Sequence, residues 1–528
     1  MIVTLSDPAV EIRGWLPAMD ALGSYTMKRR RTPEEIEERK RLFPNARPAK
    51  KLVSEVHTVL SRPDKDDPSR VLVMPGLWPR IRQWLDEHSL RYDLVDRRNM
   101  EIRPDPDYTR LKGTQFRPGQ AETLAQIVSS DCGIVSANVG WGKSYLMAKL
   151  CKIYPTLNIV VTTNSKTLVD QLYKDIADEN PGEVGILTGA RDTGHGKRII
   201  VATVQSLEKI PPAKVHLLLV DECHFVGAGT FSQVIGRFIF ARRFGFSATA
   251  IRNDGTGLVM ESLLGPVIMT STYQESVANG TVVPIQYTMI PCSHCPPFLL
   301  NPGLPDHIIN QYGYWRNNAR NAKIAQFVKN LLNEGYDGQI LITVSTTEHA
   351  IALHQMLPWF VVAHAGHLNK ERLDEKFRKQ DPSFDASKYD HKPKDVERML
   401  GAFAKGTLKH MIATKIVKQG INLKHLTCLI RADATKSQID CFQIPGRLSR
   451  LDNGKSCAYL IDLYDTFSPW AIARSKARRK EYERYGWQEV GIREILDALI
   501  GTNSERAGAA WVTAIEQDRP ESAGGQTQ

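Results

Sequence analysis

Residues 133–153 read GIVSANVGWGKSYLMAKLCKI: an apolar run, a glycine-rich turn from Ala137 to Ser144, then a helix-forming stretch. A buried strand feeding a tight loop and a helix N-terminus is the arrangement a phosphate-binding loop requires. Glycines at 140 and 142 let backbone N–H groups approach phosphate oxygens, and the helix dipole favours the anion. In such a loop Asn138, Val139, Gly140, Trp141 and Gly142 would cradle phosphates, Lys143 would reach the β- and γ-phosphates, and Ser144 would ligate Mg²⁺. Ala137 stands where the first glycine of the pattern usually falls.

Outward from this segment, short apolar runs alternate with helical stretches. NIVVTT (158–163), RIIVAT (198–203) and HLLLVDE (216–222) follow it, and after a Pro-rich interval come QILITVS (339–345), FVVAHAG (360–366), HMIAT (410–414), TCLIRAD (427–433) and AYLIDLY (458–464). Continuous apolar strands separated by helices predict parallel sheets covered on both faces. Two such blocks in tandem predict an α/β protein of two doubly wound domains. The expected division is a small α+β domain over 1–105, a first lobe over 106–290, a linker over 291–318, a second lobe over 319–500, and a disordered tail from 501 to 528. In the first region Leu77, Ile81 and Leu85 make one helical stripe between strands at 71–74 and 92–95, and Thr32-Pro33-Glu34-Glu35 begins a charged helix. Residues 380–396 have the composition of a surface insertion.

Bulk composition sets the class. Of 528 residues, 42% are hydrophobic and 24% charged, which excludes a wholly disordered chain. No apolar stretch is long enough to span a bilayer, and the N-terminus lacks the basic flank and apolar core of a signal peptide, so an intracellular, cytoplasmic location is expected. The excess of basic residues, 69 − 58 = +11, favours a polyanionic partner. Eight cysteines are too sparse for a disulfide framework. Cys292 and Cys295 form one C-x-x-C, short of the four ligands of a structural zinc site, and read as ordinary thiols in the linker.

A second chemical signal is Asp221-Glu222-Cys223-His224, directly after the apolar run HLLLV. Carboxylates at the C-terminal end of a buried strand stand where such sheets bind ligands. Asp221 and Glu222 there could hold Mg²⁺, with Glu222 polarising the attacking water.

With these two motifs the chain resembles the superfamily 2 helicases, whose second motif has the D-E-x-H form, and the remaining motifs follow in order. Phe116-Arg117-Pro118-Gly119-Gln120 resembles the adenine-recognising segment, with Gln120 on the base, and Ser247-Ala248-Thr249 the third motif. Thr163, Asn164, Thr203 and Gln205 stand at strand ends where the family touches the nucleic-acid backbone, as do Ser345, His364 and Thr414 in the second block. Gly420 to Asn422 resembles the fifth motif, with Asn422 where the family often has Asp. Gln443-Ile444-Pro445-Gly446-Arg447-Leu448-Ser449-Arg450 matches the sixth, Q-x-x-G-R-x-x-R. The resemblance implies two tandem RecA-like domains, ATP and Mg²⁺ as cofactors, and hydrolysis assisted by Gln443, Arg447 and Arg450.

The D-E-x-H box behind a small α+β domain further resembles phage UvsW-type and XPB-like DNA helicases, which implies DNA, branched or forked, as the partner. An RNA helicase or a non-unwinding duplex translocase would share the same motor. Trp78 and Trp84 could stack on bases or pack in a core. Arg474, Lys476, Arg478, Arg479 and Lys480, on an expected helix, could contact phosphates or form a solvated face.

Overall fold

Apolar runs without alternation become strands buried on both faces, and in this chain adjacent residues of one strand fill different cores. Leu217 and Leu219 pack into one cluster with Val135, Val161 and Phe244, while Leu218 and Val220 pack into another with Ile134, Val160 and Ala202. Neither face can therefore carry polar residues, which is why the strands read as uninterrupted apolar text. The computed structural model describes residues 1–7, 9–30, 52–61, 67–226, 229–248, 257–301, 304–364, 368–379, 381–418, 423–435 and 444–500. The charged helix expected from Thr32 and the tail from 501 lie outside them.

The chain divides into two units, Met1–Thr272 and Tyr273–Gln528. The first opens with strands β1 (Ile2–Leu5) and β2 (Val10–Arg13), a hairpin of β3 (Ser24–Arg30) and β4 (Leu52–Thr58), then β5 (Arg70–Val73) and β6 (Asp93–Asp96). Its small mixed sheet has the order β5-β2-β1-β6. The helix Trp78–Glu87 lies over it, with Leu77, Ile81 and Leu85 fully buried, as their spacing predicts. Trp78 and Trp84 pack against the same core, Trp78 edge-on to Tyr92 and Trp84 stacked on His88.

This sheet was expected to be a separate domain; it instead falls within the same compact unit as the first lobe. Gly76 explains how closely they approach: a Cβ there would lie 2.2 Å from the Glu261 carbonyl oxygen. Arg80 bonds Glu261 (Nε–Oε1 2.8 Å), and Arg98 and Arg103 both pair with Asp131. Three basic residues of this region, Arg80, Arg98 and Arg103, thus hold it to the lobe.

The rest of the first unit is a parallel sheet of β7 (Cys132–Ala137), β8 (Ile159–Thr163), β9 (Val184–Leu187), β10 (Ile199–Thr203), β11 (Leu217–Asp221), β12 (Arg242–Ser247) and β13 (Val267–Ser271), in the order β13-β7-β12-β11-β8-β10-β9. The paired basic residues that open β12 are buried. Arg242 donates to the carbonyls of Ile127, Val128 and Ser130, capping the helix Gln120–Ser129 whose last carbonyls have no intrahelical donor.

The second unit holds another seven-stranded parallel sheet: β14 (Ile285–Cys292), β15 (Gln339–Thr343), β16 (Val361–Ala363), β17 (His410–Ala413), β18 (Leu426–Arg431), β19 (Ala458–Asp465) and β20 (Gln488–Glu489), ordered β16-β17-β15-β18-β19-β14-β20. The first lobe was expected to run to 290, with a linker from 291. β14 pairs along its whole length with β19, so the chain has changed units before Ile285. Pro291 misleads because proline usually excludes a central strand. Tyr287 turns its carbonyl toward Val490, beyond β20, and Pro291, four residues on, faces the same way past the two-residue pairing of β20. Its missing N–H therefore breaks no ladder, and its carbonyl takes the Lys323 amine at 2.8 Å. Cys292, expected in a linker, is buried in the core of this unit. The segment 380–396, expected as a surface insertion, sends Phe384, Ala386 and Tyr389 into the same core. Among the described residues no helix is long and apolar enough to cross a membrane.

Candidate functional site

The phosphate-loop candidate joins β7 to the helix Lys143–Ile153. Gly140 and Gly142 adopt φ of 89° and 100°, a region closed to most side chains, and a Cβ on Gly142 would sit 2.5 Å from Gln120 Nε2. The Lys143 amine lies across the loop, donating to Ala137 O (2.8 Å) and Asn138 O (3.3 Å). Asn138 accepts from the Val139 N–H through Oδ1 (2.8 Å), while its buried Nδ2 meets no partner among the described residues. Ser144 stands one residue into the helix, at its amino end.

The segment expected to recognise adenine is physically tied to this loop. Gln120 is 1% exposed; its Nε2 donates to Trp141 O (2.8 Å) and its Oε1 accepts from Arg117 N (3.0 Å). Arg117 Nη1 donates to Gly140 O (2.8 Å), and Phe116 packs edge-on to Tyr145. Both ends of the Gln120 amide are thus held by backbone groups, so in this structure the residue braces the loop.

The acidic pair ends β11, two strands from β7. Glu222 adopts φ 52°, ψ 46°, left-handed backbone uncommon for a residue with a side chain and concentrated at functional turns. His224 Nδ1 lies 3.2 Å from Glu222 Oε2 and 3.0 Å from Ser247 Oγ, which joins the second motif to the third. The buried Cys223 thiol between them is pushed far up, by burial first and by the Glu222 and Asp221 charges next, with the Lys143 charge opposing. The lysine and both carboxylates therefore act on one spot at the strand ends. Thr249 lies outside the described residues.

On the other side of β11, β8 and β10 run in parallel register with Thr163 opposite Thr203. Thr203 Oγ1 bonds Ser206 Oγ (2.9 Å), a partner the sequence reading missed, and Gln205 is exposed. Thr163 Oγ1 and Asn164 Oδ1 are buried and meet no partner among the described residues. Buried polar atoms left unbonded are uncommon and mark a place that a ligand or water completes.

In the second unit, Ser345, His364 and Thr414 follow the ends of β15, β16 and β17, adjacent strands in register at Thr343, Ala363 and Ala413. Ser345 Oγ donates to Asp433 O (3.0 Å). His364, expected on the nucleic-acid backbone, is only 2% exposed and bonds Tyr389 O through Nε2 (2.8 Å). Arg447 is buried in the helical stretch 444–448 and Arg450 partly so just after it, where the Val283 N–Ser449 O bond (2.7 Å) ties the segment to the start of the unit. Gly420, Asn422 and Gln443 lie outside the described residues, as do Ala365 and Gly366.

The basic helix Pro469–Arg484 is divided between surface and core, with Lys476, Arg479 and Lys480 exposed and Arg478 buried. Arg478 is 0% exposed, bonding Asp462 Oδ2 (2.8 Å) and Leu463 O (2.6 Å). Arg474 bonds Asn310 and lies over the Tyr314 and Trp470 rings, and Arg479 pairs with Glu489 (2.6 Å). The cause is Asp462 and Asp465 on β19: carboxylates buried inside a sheet must be met by cations. Among the described residues no group of three or more His, Cys, Asp or Glu is arranged to hold a metal ion.

Comparison with known proteins gives matches to both lobes. Residues 113–252 match the family described as "Type III restriction enzyme, res subunit", and residues 322–452 the "Helicase conserved C-terminal domain". A helicase of Sulfolobus islandicus filamentous virus is 23% identical over 439 residues, covering 77% of this chain and 75% of the relative. The "DNA 3'-5' helicase XPB" of Kineococcus radiotolerans is 27% identical over 186 residues, 33% of either chain. Among solved structures, a fragment of an HsdR subunit of a type I restriction enzyme from Vibrio vulnificus has a TM-score of 0.52 at 14% identity, over 83% of this chain and 75% of that one.

Proposed function

Because this chain is an ATP-hydrolysing superfamily 2 helicase with two RecA-like domains, we propose that it couples hydrolysis to movement along DNA, with unwinding or branch migration as the outcome. ATP is the substrate. The loop from Asn138 to Ser144 receives its phosphates through backbone N–H groups and the Lys143 amine, which exchanges its loop carbonyls for phosphate oxygens. The unbonded Asn138 Nδ2 and the absence of room for a side chain at Gly142 fit a loop shaped for an anion. Mg²⁺, held by Ser144 and Asp221, would neutralise phosphate charge when bound. Glu222 orients the attacking water and takes its proton, and His224 passes the state of that carboxylate to Ser247. Phe116 and Arg117 would contact the base, with Gln120 bracing the loop beneath them. Arg447 and Arg450 stabilise charge on the transferred phosphoryl group, and Gln443 carries the same expectation from the sequence; Gly420 and Asn422 are expected to bind the nucleotide. Thr163, Asn164, Thr203, Gln205, Ser345 and Thr414 grip the backbone of the strand. All motifs lie in one chain, so a monomer suffices.

The observation that carries this reading is the single cluster at the β7, β12 and β11 strand ends, where Lys143, Asp221, Glu222, His224 and Ser247 meet. Steady-state ATPase of wild type and Lys143→Ala, with no nucleic acid, single strands, duplex, forked DNA, a four-way junction and RNA, tests it. Strongest stimulation by branched DNA and an inactive variant are expected; stimulation by RNA alone overturns the DNA assignment. A second reading, a duplex translocase that does not unwind, is favoured by the restriction-subunit family matched over 113–252. ATPase without strand separation selects it.

A further inference from the structure

Lys455 lies between the arginine-bearing segment 444–450 and β19, outside every motif. Its Nζ donates to three carbonyls: Leu426 O and Leu448 O at 2.6 Å and Lys424 O at 3.2 Å. An ammonium has three protons and no acceptor, so this cage matches its full donor count. Burial pushes the amine down to about 8, with the Asp452 and Cys457 charges pulling it back up. Carrying a cation there costs free energy that an apolar side chain would not.

The three carbonyls come from two segments. Leu448 sits between Arg447 and Ser449, at the end of the helical stretch 444–448; Leu426 opens β18 and Lys424 lies two residues before it, directly after the expected fifth motif. Further bonds converge on the arginine-bearing segment: Ser449 Oγ to Gly446 O (2.8 Å), Val283 N to Ser449 O (2.7 Å), and a bridge between Val282 and Arg450. On the far side His425 Nδ1 meets Asp452 Oδ2 at 2.5 Å. The Lys455 amine thus ties Leu448, within the arginine-bearing segment itself, to the start of β18, while the His425–Asp452 pair joins the same two stretches two residues past Arg450.

We propose that Lys455 is a positioning residue for ATP hydrolysis, fixing the backbone of Arg447 and Arg450 against the start of β18. The inference rests on the reading of those arginines as groups that act on the nucleotide. A misplacement of about 1 Å in such a group costs on the order of 100-fold in rate. Lys455→Met keeps the stem and removes all three donors. With saturating DNA its kcat for ATP is expected to fall about 10–100-fold at unchanged KM, with DNA affinity in the absence of nucleotide also unchanged. Binding of ADP with aluminium fluoride weakens, while ADP alone binds as before.

The decisive arm is a double-mutant cycle, because residues acting through one another are not additive. In an Arg450→Ala background Lys455→Met should remove little further rate. Full additivity overturns the proposal, as does an unchanged kcat in the single variant. If the Met variant does not fold, Lys455→Gln, which keeps two donors, is read by the same criteria with a smaller loss expected. If Arg450→Ala itself hydrolyses normally, it is the assignment of the arginines that fails.

Discussion

The two seven-stranded sheets are built alike and place their charges differently. In the first unit the charges proposed to do the chemistry, Lys143, Asp221 and Glu222, gather where β7 and β11 end. Beside them Thr163 and Asn164 keep buried atoms without partners among the described residues. In the second, charge is threaded through the sheet itself. Arg320 meets Asp465 and Arg478 meets Asp462 with every side chain at 0% exposure, and Arg431 pairs with Asp433 and bonds Tyr482. At these strand ends of the first unit polar groups are left for a ligand to complete, whereas the charges named in the second are met by one another. Loss of a charge should therefore cost chemistry in the one and stability in the other.

The sharpest exception is expected at Arg450, a charge of the second unit assigned to chemistry. Arg450→Ala should lower DNA-stimulated kcat by about 10³–10⁵, the range seen when an arginine acting on a transferred phosphoryl group is removed, with the thermal midpoint nearly unchanged. A stability loss with normal turnover would return Arg450 to the structural set.

Arg478 should behave oppositely. Arg478→Met leaves Asp462 and Asp465 buried without their shared cation, and breaking a buried pair from one side costs about 3–5 kcal/mol. Chemical denaturation should report that loss, while the fraction that folds hydrolyses ATP at the wild-type rate. A variant of normal stability but slow turnover would break the comparison.

These two arginines also show how far a sequence carries. Arg450 could be given a role from the sequence because that role depends on a local pattern, Q-x-x-G-R-x-x-R, following glycine-loop and acid-pair motifs in order, and the Arg450→Ala rate tests it. Arg478 could not, because its meaning depends on Asp462, sixteen residues away on a strand that reads as simply apolar. The parallel strands were legible, since burial on both faces leaves a composition that cannot be missed. The unit boundary was hidden by Pro291, whose cost vanishes only when the open side of β14 is known. Gln120 and His364 were found as motif members, but that backbone groups hold both is a fact of packing alone.

Histidine extends the contrast to acid. His349 is fully buried, held neutral down to about 3 by burial first and then by the Arg320 and Lys376 charges, with Nε2 3.0 Å from Asn321 Oδ1. Its folded pKa lies below the unfolded value near 6.5, so the unfolded chain binds the extra proton. The stability it contributes is complete above pH 6.5 and drains away as pH falls toward 3. Full linkage sets a ceiling near 4–5 kcal/mol; with local opening, about 2–4 kcal/mol is expected. His349→Gln should flatten that part of the stability–pH curve for the second unit; an unaltered slope assigns acid lability elsewhere.

The smallest effect belongs to Lys476 and Lys480, and it decides whether the basic helix touches DNA at all. Of the five cations between 474 and 480, Arg474, Arg478 and Arg479 have intramolecular partners, which leaves two exposed lysines at i and i+4, on one face. Each phosphate contact contributes about 0.9 to the slope of log K against log salt on duplex DNA, so replacing both with alanine can lower that slope by at most about 2. A decrease of 1–2, equal on every DNA sequence and with DNA-free ATPase unaltered, would place this helix face on the phosphate backbone. No change would mean that the helix serves β19 alone and that every strong charge on its buried side is structural.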